Sequence, residues 1–287
     1  MENTGTVSLN DLQKQVDTLG GSGHYIKKYK LMKNIMAFPC SKEEVHKLRI
    51  HIAKTYGLFC VQLLYIIGLI WLFITPPLAM EGAVDSFISG MADIMEILHG
   101  ALFLGIFIGL CFLAGSDNPW LKGTGILCLE GLVALTTASL FSEMFDAMGQ
   151  ASAMRMIIMA LSETIAIFAG ASFYGLFTKR DLTKWEGPLF GALLSLVIAG
   201  FFAPFIHNIM FTVIYTLAST VIFTLFTMYD NQLIKVRFLS KYRDDIPDTK
   251  LSWWLLAADS SFDLVLDFVN LFLDLLTLGI AEADENN

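Results

Sequence analysis

Seven apolar stretches, each long enough to cross a bilayer as a helix, limit what this chain can fold into. Crossing the hydrocarbon core takes about 20 mostly apolar residues. The stretches that qualify are Tyr56–Leu78, Ile94–Gly115, Gly123–Phe141, Met156–Phe177, Leu189–Ile206, Ile209–Tyr229 and, less cleanly, Leu255–Ile280. Pro76, Pro77 and Gly82 break the chain after the first, and Pro204, His207 and Asn208 make a tight hairpin of the fifth and sixth. The predicted fold is therefore all-α and polytopic, with seven transmembrane helices. Composition agrees. Only 16% of the 287 residues are charged and mean hydropathy is +0.61, whereas a soluble chain is about a quarter charged. So little charge cannot cover a globule of this length, so the solvent must be lipid.

The positions of Lys and Arg set the expected orientation. Nine precede or open the first span: Lys14, Lys27, Lys28, Lys30, Lys33, Lys42, Lys47, Arg49 and Lys54. The next loop has only Glu81, Asp85 and Asp93, and the following one Lys122. Glu143 and Asp146 come before Arg155; Lys179, Arg180 and Lys184 follow the fourth span; Lys235, Arg237, Lys241, Arg243 and Lys250 follow the sixth. The tail carries Glu282, Asp284 and Glu285. This alternation predicts a cytosolic N-terminus and an external C-terminus, which requires an odd number of spans. The division is residues 1–52 as a cytosolic segment, 53–280 as the membrane domain and 281–287 as an acidic tail. Ser41 and Glu44 form a capping box ahead of Val45, Leu48, Ile50 and Ile52, which predicts a short amphipathic helix. Its lysines either rest on anionic headgroups or only fix topology. No cleavable signal peptide is expected. Cys40, Cys60, Cys111 and Cys128 lack disulfide or zinc spacing and read as reduced packing residues.

The acids inside the spans carry the functional signal. Asp259, Asp263, Asp267, Asn270 and Asp274 are spaced 4, 4, 3 and 4, so they share one face of a helix. An ionised carboxylate at mid-bilayer costs at least ~2.5 kcal/mol. That face must therefore look into protein or a wet cavity, which makes the seventh span central. On the sixth span Thr212, Thr216, Ser219, Thr227 and Asp230 share a face by the same arithmetic. Asp230 and Asp267 then fall at similar depth; two carboxyl groups meeting there would share a proton and titrate as one unit. Asp230 could instead pair with Lys235 or Arg237 at the interface. Glu130 is expected near the depth of Asp267, and Glu163 near that of Asp274. Such a ladder of oxygens is what a dehydrating Ca²⁺ ion needs. Glu96 and His99 have the spacing of half a di-iron site but lack a second copy.

These residues resemble the Bax-inhibitor (TMBIM) family of membrane proteins. The resemblance runs from about Arg49 to Gly279. It is carried by Ala53-Lys-Thr-Tyr56, Thr164-Ile-Ala-Ile-Phe168, Tyr174-Gly-Leu-Phe-Thr-Lys-Arg-Asp-Leu182, Tyr229-Asp-Asn-Gln-Leu-Ile234 and Leu266-Asp-Phe-Val-Asn-Leu-Phe272. It implies two three-helix layers around a central C-terminal helix. It also implies a pH-regulated passive calcium leak, with Asp230 and Asp267 as proton sensor, ion gate and transient Ca²⁺ ligands. Asp263, Asn270, Asp274, Glu163 and Glu130 are the candidate ion pathway. The pattern departs where a basic cluster is expected to latch the sixth-span aspartate, since Leu113-Ala-Gly-Ser-Asp-Asn118 has no Lys or Arg. Asp263, Asp274 and Glu163 also stand where neutral residues are expected.

The expected partners are the lipid bilayer, calcium ions and protons, with no resident cofactor, no nucleic acid and no enzymatic reaction. The expected location is the bacterial plasma membrane, or an organelle membrane in a eukaryote. Alternatives are a proton- or cation-coupled transporter, which lacks a visible inverted repeat, and a scaffold regulating stress or cell-death proteins. An intramembrane aspartyl protease would need glycine before its second aspartate, where this chain has Val265-Leu266.

Overall fold

The computed structural model describes residues 42–75, 109–110, 112–116, 118–178, 180–203, 208–243 and 250–285, with the single positions 86 and 206. Six helices long and apolar enough to cross a membrane occur among them, and no strand. They are α1 (Lys42–Ile74), α2 (Pro119–Met148), α3 (Gln150–Phe177), α4 (Glu186–Phe202, entered through a 3₁₀ turn at Thr183–Trp185), α5 (Ile209–Arg243) and α6 (Lys250–Glu285). They match the first and the third to seventh predicted spans. The predicted Ile94–Gly115 span lies almost wholly outside the described residues, as do Ser41, Glu96 and His99.

Several helix ends follow from local chemistry. Asn118 caps α2, its Oδ1 accepting from the Trp120 N–H at 3.0 Å, with Pro119 in the first turn, where a missing N–H costs nothing. Between Met148 and Gln150 the corner is a single residue, Gly149, at φ +79°, a conformation open to glycine. The short helix expected near Val45–Ile52 has no separate existence, because α1 continues through it without a break. Likewise α5 runs 14 residues beyond Tyr229, where the apolar run stops. Hydropathy drops there because Lys235 and Arg237 appear, yet both find partners inside the bundle, so the helix continues.

Large apolar side chains face outward. Leu64, Trp71, Phe173, Phe190 and Ile214 are all more than half exposed, as lipid-facing residues should be. Cys60 and Cys128 are free and also exposed, rather than packed inside. The inward face of α3 is mostly small, with Ala153, Ala160, Thr164, Ala171, Ser172 and Gly175 buried, which lets helices approach closely without a hydrophobic driving force. Gly175 is the tightest point. A Cβ there would lie 2.3 Å from the Met228 carbonyl oxygen of α5.

α6 packs against α5, α3, α1 and α2. Its Leu264, Val265 and Leu271 are buried with Ile66, Ala134 and Ile234. Phe268 meets Phe59 and Phe168 edge-on, and those two stack at 5.2 Å. At one end of the bundle, Lys47, Lys54 and Lys241 lie over Tyr242, Trp254 and Trp253 at 4.9–5.2 Å. The start of α1, the end of α5 and the start of α6 are thereby joined in one basic, aromatic rim.

Candidate functional site: the carboxylates between α5 and α6

The acidic stripe of α6 meets partners from two other helices. Asp259 pairs with Lys122 of α2 at 2.9 Å. One turn on, Asp263 accepts from Arg237 Nη1 of α5 at 2.7 Å, and Ser260 Oγ lies 3.4 Å from the same nitrogen. The next acid, Asp267, is hydrogen-bonded carboxyl to carboxyl with Asp230 of α5. Farther along, Asp274 is hydrogen-bonded to Ser219 of α5. Asn270 turns back on its own helix, donating to the Leu266 carbonyl at 2.7 Å.

Asp267 is only 4% exposed and its Oδ2 has no hydrogen-bond partner among the described residues. Two buried carboxyl groups can hydrogen-bond to each other only with a proton between them, so the Asp230–Asp267 contact requires the pair to carry at most one negative charge. Thr227 also touches Asp267, while its hydroxyl lies 2.9 Å from the Phe223 carbonyl. A hydroxyl has one proton. When it stays on that carbonyl, Thr227 can only accept, and the acid must be the donor.

The same economy runs down α5. Thr216 donates to the Thr212 carbonyl at 2.8 Å, Thr220 to Thr216 at 2.9 Å and Thr224 to Thr220 at 2.7 Å. Each hydroxyl spends its proton on its own backbone and presents only lone pairs sideways. Such a surface suits a cation.

A buried polar knot fixes the rotation of α5 beside Asp230. Tyr56 of α1 donates to Asn231 Oδ1. Asn231 Nδ2 reaches Ser172 Oγ of α3 at 3.0 Å and the Thr227 carbonyl at 2.8 Å. Gln232 clamps the segment leading into α4, receiving the Leu182 N–H and donating to the Arg180 carbonyl, both at 2.7 Å.

The remaining predicted pathway residues separate. Glu130 is buried on α2, 1% exposed, with neither oxygen partnered among the described residues; its expected neighbour at that depth, Asp267, meets Asp230 instead. Glu163 is exposed on α3 and lies in a groove of about 390 Å³ with Met156, Met159, Gly279 and Glu282. That groove lies between α3 and the C-terminal part of α6, whereas Asp274 is hydrogen-bonded to Ser219 of α5. Among the described residues no group of three or more His, Cys, Asp or Glu side chains is arranged to hold a metal ion. Sequence reasoning missed the structural parts of Lys122, Tyr56, Ser172 and Asn231 altogether. Arg237, named from the sequence as a possible partner of Asp230 and on the same helical face, is hydrogen-bonded to Asp263 instead.

Residues 48–283 match the protein family described as inhibitor of apoptosis-promoting Bax1. An uncharacterized protein of Borreliella burgdorferi is 30% identical over 236 residues, covering 82% of this chain and 93% of that one. An uncharacterized membrane protein of Streptococcus pyogenes is 31% identical over 122 residues, 42% of this chain. A Lactococcus lactis protein is 37% identical over 127 residues, 44% of this chain. The chain spans about half the length of these last two relatives, 50% and 51%.

Proposed function

The chain belongs to the Bax-inhibitor family, and on that premise we propose that it is a pH-regulated passive calcium leak whose proton sensor is the Asp230–Asp267 pair. The observation that carries this reading is the carboxyl–carboxyl hydrogen bond between α5 and α6. With a proton the pair ties the two helices together. Without it a strong hydrogen bond becomes repulsion between like charges in a poorly hydrated place, and α5 and α6 are pressed apart. The path for the ion runs between these helices. Ca²⁺ sheds water only to oxygen ligands. The hydroxyl lone pairs of α5, Asp274 near Ser219 and the deprotonated pair offer them in sequence. Calcium is cargo, and its stay at Asp230 and Asp267 is transient.

The finer architecture belongs to the same proposal: seven spans, in two three-helix layers around α6. The basic rim faces the cytosol, the C-terminus faces outside, and the membrane is a bacterial plasma membrane. The chain carries out no enzymatic reaction and needs no resident cofactor. A coupled transporter using the same acids is the competing reading, favoured only by the unpartnered Glu130 as a second proton site. Calcium flux into liposomes holding the purified protein, across a pH series, tests the choice. A leak gives flux that is linear in the calcium gradient and changes with pH. Saturation with coupled proton movement selects the transporter, and absence of flux at every pH removes both.

A further inference from the structure

We propose that the basic, aromatic rim where α1, α5 and α6 meet binds one anionic phospholipid, with its headgroup between Lys54 of α1 and Lys241 of α5. Such a site does not depend on whether the chain carries calcium, and it goes beyond the leak reading.

Three lysines at this end of the bundle reach across to an aromatic ring on a neighbouring helix. Lys47 of α1 lies 4.9 Å from the Tyr242 ring of α5, Lys54 of α1 lies 5.2 Å from Trp254 of α6, and Lys241 of α5 lies 5.0 Å from Trp253 of α6. His51 is buried beneath them, its ring 5.1 Å from Phe238 and 6.2 Å from Trp253. The three helix ends are thus locked together, and the lysines are placed in advance. Lys47 already has a carboxylate, Glu43 at 2.8 Å, and a phenol, Tyr242 at 3.1 Å. Lys54 and Lys241 flank two consecutive residues, Trp253 and Trp254, and both lie within electrostatic reach of His51.

An aromatic ring attracts an ammonium through its quadrupole but has no net charge, so it holds the cation without cancelling it. An ammonium has three donors, more than one ring face can occupy. An anion between two such cations relieves their repulsion. Depth decides which anion. Lys54 comes just before the apolar stretch that opens at Tyr56, and Trp253 and Trp254 just before the one that opens at Leu255. Trp254 is about half exposed, at the level where hydrocarbon gives way to headgroups. The anions concentrated there are lipid phosphates. Farther into the membrane, Val61 and Tyr65 continue the face of Lys54 along α1 and are exposed, a surface for an acyl chain. A zwitterionic headgroup would bring its own ammonium beside the lysines, whereas phosphatidylglycerol brings none.

The test uses full-length protein in a non-ionic detergent, titrated with dioleoyl phosphatidylglycerol. Native mass spectrometry counts the lipid retained, and melting follows stability. Wild type should retain one phosphatidylglycerol most tightly and melt several degrees higher with it. Dioleoyl phosphatidylcholine, or glycerol phosphate as the free headgroup, should do neither at the same concentrations. Lys54→Gln and Lys241→Gln should each weaken retention about fivefold, and K54Q/K241Q by more than about tenfold, the order for basic residues at an anionic surface. The single variants carry the test if the double variant does not fold. Lys184→Gln removes an exposed lysine on the turn before α4 and should change nothing. Equal retention of the two lipids, equal stabilisation by glycerol phosphate, wild-type retention in both single variants, or an equal loss in K184Q overturns the site.

Discussion

Lys235 and Arg237 stand two residues apart on α5 yet serve opposite neighbours. Lys235 reaches the terminal carbonyls of α3 at Gly175 and Leu176, while Arg237 meets Asp263 of α6 at 2.7 Å. Two residues are about 200° on a helix, so α5 is wedged between α3 and α6 with a cation turned to each. Neither basic residue is an interfacial partner of Asp230 in the simple sense; one is turned away and the other is held by Asp263.

Lys235 supplies a cap that α3 lacks within itself. Carbonyls at a helix C-terminus have no intrahelical donor and carry the negative end of the helix dipole. Lys235→Met should lower the thermal stability of the detergent-solubilised protein by about 1–2 kcal/mol, as for a lost charged hydrogen bond. The pH midpoint of calcium flux should stay where it is. A shifted midpoint with unchanged melting would tie Lys235 to the sensor and refute the capping role.

Where α3 crosses α5, only glycine fits. Gly175→Ala would bring a methyl 2.3 Å from the Met228 carbonyl oxygen and 2.8 Å from Asn231 Cβ. Backbone cannot yield as a side chain can, so the helices must separate, at a cost of roughly 1–3 kcal/mol. Gly170 lies earlier on the same helix with nothing within 4 Å, and Gly170→Ala should melt like wild type. Equal melting of the two variants would contradict the crossing described here.

The six described spans were legible because a bilayer demands a length of apolar sequence that little else requires. Their ends were less so. Hydropathy stops at Tyr229, whereas the helix runs to Arg243, since Lys235 and Arg237 have partners that only tertiary structure reveals. Spacing alone put Asp259, Asp263, Asp267 and Asp274 on one face, and that face does meet α5 and α2. Pairing Asp230 with Asp267 needed the family resemblance in addition, because spacing gives depth but not which helices adjoin. Glu163 shows what neither gives. It is one residue before the buried Thr164, and the 100° between them decides between interior and exterior. Lys122 was read only as a topology signal; its pairing with Asp259 needs α2 beside α6.

That difference between Glu163 and Asp274 makes a direct comparison. Asp274 is hydrogen-bonded to Ser219 on the α5–α6 stripe, whereas Glu163 is exposed on α3. Asp274→Asn should reduce calcium flux several-fold with expression intact, because a neutral amide is easier to hold in the membrane than a charge and a poorer calcium ligand. Glu163→Gln should leave flux unchanged. The reverse result would move the ion path from between α5 and α6 to the α3 groove.

Orientation can be checked by labelling. Cysteines at Asn3 and Glu285, in a background lacking the four native cysteines, should react from opposite sides of intact cells, with Asn3 cytosolic. Both ends on one side would leave an even number of spans and overturn the seven-span arrangement.

The Asp230–Asp267 pair makes a prediction for stability as well as flux. The protonated pair joins α5 to α6 by a hydrogen bond, and the deprotonated pair repels. Stability should therefore follow the state of the pair, higher while the proton is shared and lower once it is lost at higher pH. Melting of the detergent-solubilised wild type should show this fall, and flux should change over the same pH range. Asp230→Asn or Asp267→Asn replaces the shared proton with an amide that donates to the remaining carboxylate at any pH. Each single variant should flatten both the stability and the flux profiles. The double variant should add little, because the two side chains act as one unit. Single variants that keep both wild-type profiles would show that the pair carries no shared proton, and the leak would need another sensor.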